Sequence, residues 1–225
     1  MLLYEAQRIQ VAKAALTLFE SGLVVNTSGN VSTKIADHVL ITPSGRSYNQ
    51  VEPRDIVVLD LQGAIIDGDL LPSSETPLHL SIYNSNPETG AIVHTHSVHA
   101  TAVSTLLKEL PAIHYQIADL GGPVPVAPYR TFGTPALAAV VTEALHNHTA
   151  ALMQNHGAVT VGNTIEQALA RSITLEWLSQ VFLQAHQCGE PSLIENEELD
   201  SVRKRQKQLA NDRRKHLETR EEQND

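Results

Sequence analysis

Six short apolar runs, at residues 39–41, 56–59, 64–66, 91–96, 151–154 and 158–161, are each closed off by Gly, Pro, Asn or Asp. Runs of this length bounded by turn-forming residues make strands, so the chain has to build a sheet and cover it. The cover is also written into the sequence. Apolar residues recur at helical spacing over 2–21, and Gly22 offers a stop. Residues 75–84, 134–146 and 164–186 carry the same period. Thr134 stands as a cap before Pro135, and Thr164 with Gln167 forms a capping-box pattern. A mixed α/β or α+β domain follows. At 225 residues and 42% hydrophobic, one compact domain is sufficient. There is no internal repeat, and Gly189-Glu190-Pro191 closes the last of these helices.

Several function classes are disfavoured at this level. Eight of the 16 Lys and Arg residues lie between Arg203 and Arg220, so residues 1–194 have no broad basic surface for nucleic acid. Within 191–225 the bases alternate with acids, which reads as a solvated helix or a partly disordered end. No apolar run reaches the roughly twenty residues a membrane span needs. The first ten residues contain both an acid and a base, unlike a secretory leader. With a single cysteine, Cys188, no internal disulfide forms, and a cytoplasmic location is expected.

The run Ala91-Ile92-Val93-His94-Thr95-His96 carries the strongest chemical signal. Alternate residues on a strand share a face, so His94 and His96 would stand side by side as two metal ligands. Two histidines alone are equally compatible with ordinary hydrogen bonding, and a third donor is needed. His156 is the best candidate, because Asn155-His156-Gly157 lies where one apolar strand ends and another begins. His99, His114, His146, His148 and His186 are poorer ones; His146 and His148 end a predicted helix, where a cation complements the dipole. Three imidazoles with a carboxylate or water make a zinc site with an exchangeable position. Glu75 can supply the carboxylate. It follows Ser73 and Ser74 at a helix start, where hydroxyls act as caps and where unpaired N–H groups also attract phosphate. The polar turns Asn26-Thr27-Ser28-Gly29-Asn30 and Thr42-Pro43-Ser44-Gly45 could complete such a cradle.

Taken in order, Thr27-Ser28-Gly29-Asn30, Thr42-Pro43-Ser44-Gly45, Ser73-Ser74-Glu75, His94-Thr95-His96, Ala112-Ile113-His114-Tyr115 and Asn155-His156-Gly157 resemble the class II aldolase/adducin family. The resemblance implies a single catalytic domain over 1–190, with a central, mostly antiparallel sheet flanked by helices, followed by a charged tail over 191–225. It implies one Zn2+ held by Glu75, His94, His96 and His156, with Glu75 also the catalytic base. Substrate phosphate would be bound by Asn30, Ser44, Gly45, Ser73 and Ser74. Tyr115 would handle the proton on the aldehyde oxygen from the neighbouring subunit of a homotetramer. The implied reaction is cleavage of a deoxyketose 1-phosphate, of the L-fuculose 1-phosphate type, to dihydroxyacetone phosphate and a small aldehyde such as lactaldehyde. No nucleic-acid or membrane partner is implied.

Same-fold alternatives are a pentulose-phosphate 4-epimerase, a dehydratase and an oxo-acid-phosphate decarboxylase; a non-catalytic adducin-like scaffold is a further one. Glu75, where the epimerase pattern has Asp, and Tyr115 favour the aldolase. One departure stands out: the aldolase branch has a tyrosine near its C-terminus that helps close the site, and here no Tyr follows Tyr129.

Overall fold

The computed structural model describes residues 2–222. Its strands are β1 (Asn30–Ile35), β2 (His38–Ile41), β3 (Val57–Asp60), β4 (Ile65–Asp67), β5 (Ala91–Thr95), β6 (Glu109–Leu110), β7 (Val124–Ala127), β8 (Ala150–Met153) and β9 (Gly157–Gly162). They form one sheet in the order β4-β3-β2-β1-β5-β9-β8-β7-β6, antiparallel throughout except for the β7–β8 pair. The helices are α1 (Glu5–Glu20), α2 (Thr76–Ser85), α3 (Val98–Leu106), α4 (Pro135–Ala144), α5 (Ile165–Cys188) and α6 (Asn196–Glu222). This is the expected mixed domain with a mostly antiparallel sheet.

The alternation of side chains on β5 divides the core. Ala91 and Val93 point to the face covered by α1 and the start of α5, where they pack with Val11, Leu18, Val31 and Ile165. Ile92 points to the other face, against Leu78 and Ile82 of α2 and Leu137 and Val141 of α4. A third cluster joins α3, α5 and β8. Each fully buried Val, Leu or Ile contributes roughly 1.5–3 kcal/mol relative to exposure, and β5, β8 and β9 are buried along their whole length. That placement puts His94 on the face of Ile92, turned towards α2.

The caps read from the sequence are present: Thr134 accepts from the Leu137 amide at 3.2 Å, and Thr164 from the Gln167 amide at 3.3 Å. Other details differ. The first helix begins at Glu5 rather than at residue 2, after Tyr4 in a left-handed conformation. Helix α3 and strands β1, β6 and β7 have no counterpart in the sequence expectations. The omission of β1 matters most, since it lies between β2 and β5 at the middle of the sheet. Its sequence, NVSTKI, is too polar to read as a buried strand, yet Asn30, Val31 and Ser32 are all buried.

The charged tail is helical as α6 through residue 222; residues 223–225 lie outside the described ones. Its first turn is held against the domain by fully buried Leu199, with Ile194 and Val202 beside it. Arg203 adds a hydrogen bond to the Gly121 carbonyl at 3.1 Å.

Candidate metal centre

Three register pairings bring distant parts of the chain together. Asn30 on β1 lies opposite His94 on β5, His94 lies opposite Val159 on β9, and Met153 pairs with Gly157 across the β8–β9 turn. His156 sits in that turn, one residue before β9, where Asn155 takes a left-handed conformation (φ 55°). His96 has already left the ladder, because β5 ends at Thr95. Its amide is held instead by the Leu23 carbonyl at 3.1 Å. The two histidines therefore meet across a strand end rather than along a strand face. Glycine is required at two positions for this approach. A Cβ on Gly157 would lie 2.2 Å from the Thr95 carbonyl oxygen, and one on Gly29 2.7 Å from that of His94.

Glu75 arrives from the opposite side as the residue preceding α2. Its carbonyl accepts from the Leu78 amide at 2.9 Å, but its side chain caps nothing. The carboxylate reaches His94 Nε2 at 2.7 Å through Oε2 and His156 Nε2 at 3.6 Å through Oε1. The three imidazole centroids are 4.8, 5.0 and 4.9 Å apart, and one ligand atom from each of the four residues lies within 4.8 Å of all the others. His94 Nδ1 donates to the Ala158 carbonyl at 2.9 Å, which turns Nε2 into the cluster, 2.9 Å from His96 Nε2.

The donor set fits a divalent cation. Burial, with the charges of His94 and His156, pushes the His96 ring down to about 3 against the opposing pull of Glu75. Burial and His94 push His156 down to about 4. Both rings are neutral at pH 7 and offer lone pairs. Burial by itself would raise Glu75, but attraction to His94, the hydrogen bond between them, and attraction to His156 and His79 hold its carboxyl well below the usual range. Burial likewise opposes charge on His94, and Glu75 together with the Ala158 carbonyl pushes it up. The second carboxylate oxygen, Oε1, is buried without any hydrogen-bond partner, a costly arrangement that a metal ion removes.

Above the cluster opens a cavity of about 350 Å³ lined by Glu75, His96 and His156 on one side. Asn30, Ser44, Gly45, Ser73 and Ser74 line it as well, so all five candidate phosphate residues are brought together. Two loops form this wall by pairing with each other: the Ser73 amide donates to the Thr42 carbonyl at 3.1 Å, and the Ser44 amide to the Leu71 carbonyl at 2.9 Å. Tyr115 is not among the lining residues. It begins a short 3₁₀ turn (Tyr115–Leu120), is 51% exposed, and lies against His114, whose ring in turn meets Trp177.

Sequence reasoning missed two groups. Tyr129, Arg130 and Phe132 line the cavity; the aromatic and basic residues of the run from Ala127 to Gly133 are the signal that could have found them. Behind Glu75, the side chains of Asn30, His79, Ser32 and Tyr83 form a buried polar chain. Its signal is the four-residue spacing of Glu75, His79 and Tyr83, which puts the three on one face at the start of α2 and along it.

A profile of the Class II Aldolase and Adducin N-terminal domain matches residues 9–183. The L-fuculose phosphate aldolase of Escherichia coli is 40% identical over 195 residues, covering 86% of this chain and 90% of the relative. The 5-deoxy-D-ribulose 1-phosphate aldolase of Bacillus thuringiensis serovar kurstaki is 36% identical over 206 residues, 91% of this chain and 97% of the relative. A solved structure described as L-fuculose 1-phosphate aldolase has a TM-score of 0.87 and 33% identity, covering 89% of this chain and 95% of that one. No helix among the described residues is long and apolar enough to cross a membrane. The matched length and the assembled Glu and His group lead to one conclusion: the chain belongs to the class II aldolase and adducin family, as a metal-dependent lyase.

Proposed function

We propose that the chain is a zinc-dependent aldolase that reversibly splits a deoxyketose 1-phosphate into dihydroxyacetone phosphate and a small aldehyde such as lactaldehyde. The observation that carries this reading is the position of Glu75. It is at once part of the metal group and part of the wall of a cavity that Asn30, Ser44, Gly45, Ser73 and Ser74 also line. Two of the relatives described above act, by name, on deoxyketose phosphates.

Zinc suits three imidazoles and one carboxylate, and when bound it would act as a Lewis acid on the carbonyl and hydroxyl oxygens of the substrate. The chain's own residues do the rest. Ser44, Gly45, Ser73, Ser74 and Asn30 hold the phosphate by neutral donors, as the start of α2 allows without a lysine. Cleavage breaks the bond between the third and fourth carbons. The hydroxyl proton on the fourth carbon passes to the oxygen of Tyr115 as the aldehyde forms, and the electron pair of the broken carbon–carbon bond stays on the three-carbon fragment as an enediolate. Glu75 then delivers a proton to the third carbon of that fragment, and takes it back in the synthetic direction.

A panel of phosphorylated ketoses tests the substrate class. L-Fuculose 1-phosphate should yield lactaldehyde, 5-deoxyribulose 1-phosphate acetaldehyde, and both dihydroxyacetone phosphate. If only pentulose 5-phosphates react, and by inversion at the fourth carbon, the chain is an epimerase.

Tyr115 fits a role across a subunit boundary of a homotetramer, since its ring is half exposed and does not line the cavity of its own chain. Mixed refolding of two inactive variants, Tyr115→Phe and Glu75→Gln, is then expected to restore part of the activity, because some hybrid boundaries carry both intact groups. Assembled mixtures that stay inactive would remove Tyr115 from the neighbouring site. Residues 191–225 are read as a charged appendage to the catalytic domain over 1–190, anchored by Leu199.

A further inference from the structure

The polar chain behind Glu75 has a direction. His79 Nε2 lies against Asn30 Oδ1, an acceptor, so Nε2 carries the hydrogen and donates. In the neutral ring Nδ1 is then an acceptor, and it receives the Ser32 hydroxyl at 2.7 Å. Ser32 Oγ in turn accepts from the Tyr83 hydroxyl at 2.7 Å. At the other end Asn30 Nδ2 donates to Glu75 Oε2 at 3.5 Å, the longest link. All five residues are buried. Each link of the chain pairs one donor with one acceptor.

Reversing any one link conflicts with its neighbours. Flipping the Asn30 carboxamide would set its NH2 against the His79 N–H and its carbonyl oxygen against the Glu75 carboxylate. Moving the His79 hydrogen to Nδ1 would leave Asn30 Oδ1 unpaired. The arrangement holds Oε2 between Asn30 and His94, and leaves Oε1 as the oxygen without a hydrogen-bond partner.

We propose that His79 is a positioning residue for Glu75: through Asn30 it fixes which carboxylate oxygen is held and which is free, with Ser32 and Tyr83 fixing the tautomer of His79. The inference rests on the reading of Glu75 as metal ligand and proton carrier. A purely structural role is the competing account, since buried polar groups need partners wherever they lie.

The experiment measures three quantities for each variant: Zn2+ affinity of the metal-free protein by competition with a chromophoric chelator, deuterium uptake by dihydroxyacetone phosphate in the metal-saturated protein, and Tm. Partners one step behind a metal ligand typically change affinity or activity about 10–100-fold, and His79→Leu is expected to lower both affinity and uptake within that range. His79→Gln keeps a donor near the Nε2 position and should recover most of the loss. In an Asn30→Ala background His79→Leu should add less than about twofold, because the two changes remove one pathway. The proposal is overturned if His79→Leu lowers Tm alone, leaving affinity and uptake per bound metal unchanged, or if the losses in the double variant multiply. Should His79→Leu not fold, Ser32→Ala retains the imidazole while freeing its tautomer; a several-fold fall in affinity supports the relay, and an unchanged affinity overturns it. Metal affinity involves no substrate. Normal uptake by Glu75→Gln would therefore remove the proton-carrier reading without deciding the affinity result, and normal affinity in His79→Leu would remove the relay without touching that reading.

Discussion

Glu75→Gln is expected to leave the fold and much of the metal in place while deuterium uptake by dihydroxyacetone phosphate in deuterated water falls about 10²–10⁴-fold, the usual size of a general-base contribution. The half-reaction is chosen because it requires deprotonation and no aldehyde. An amide nearly matches a carboxylate in shape, and the three imidazoles remain to hold the cation. The alternative is that Glu75 matters only as the residue that starts α2. Its side chain makes no capping hydrogen bond, so on that account the substitution would change little in the helix and nothing in the exchange rate. Near-normal uptake by a metal-loaded Glu75→Gln protein would take Glu75 out of proton transfer.

Removing the metal is expected to have the other large effect. Chelation followed by dialysis should reduce cleavage to background, and one equivalent of Zn2+ should restore it. Stability should move with it, because a ligand that binds only the folded state at a free concentration of about 1,000 times its Kd adds about 4 kcal/mol. For a domain of this size each kcal/mol corresponds to roughly 2–4 °C, so the melting temperature of the metal-free protein should lie roughly 8–16 °C lower. The physical origin is visible in the cluster: without a cation, three imidazoles crowd together beside a buried carboxylate oxygen that has no partner. Full activity in protein shown by elemental analysis to be metal-free would exclude the metal from the reaction.

The two groups differ in how they could be recognised. His94 and His96 are legible as two ligand-type residues two apart at the end of an apolar run, although the strand ends between them. His156 and Glu75 were legible because each stands at the junction of a turn with a regular element, where side chains can be aimed. The sequence places Asn30 in the cradle as a turn residue. It does line the cavity, but it belongs to β1, and its carboxamide is also engaged with His79 and Glu75.

The sequence by itself determined the mixed sheet-and-helix class, the boundaries of the principal helices to within a few residues, and the residue types able to bind a divalent cation. These follow from local periodicity, capping chemistry and donor identity, all of which act within a few positions along the chain. Only the tertiary structure decided that polar Asn30-Val31-Ser32 is a central strand, that His96 meets His94 across a strand end, and that His79 and Tyr83 turn inward behind Glu75. Those outcomes depend on strand register, which sets Asn30 opposite His94 and β9 beside β5. Register is fixed by the burial of whole faces rather than by any short segment, and for that reason the partners that make a polar residue tolerable inside the protein could not be read from its neighbours in the chain.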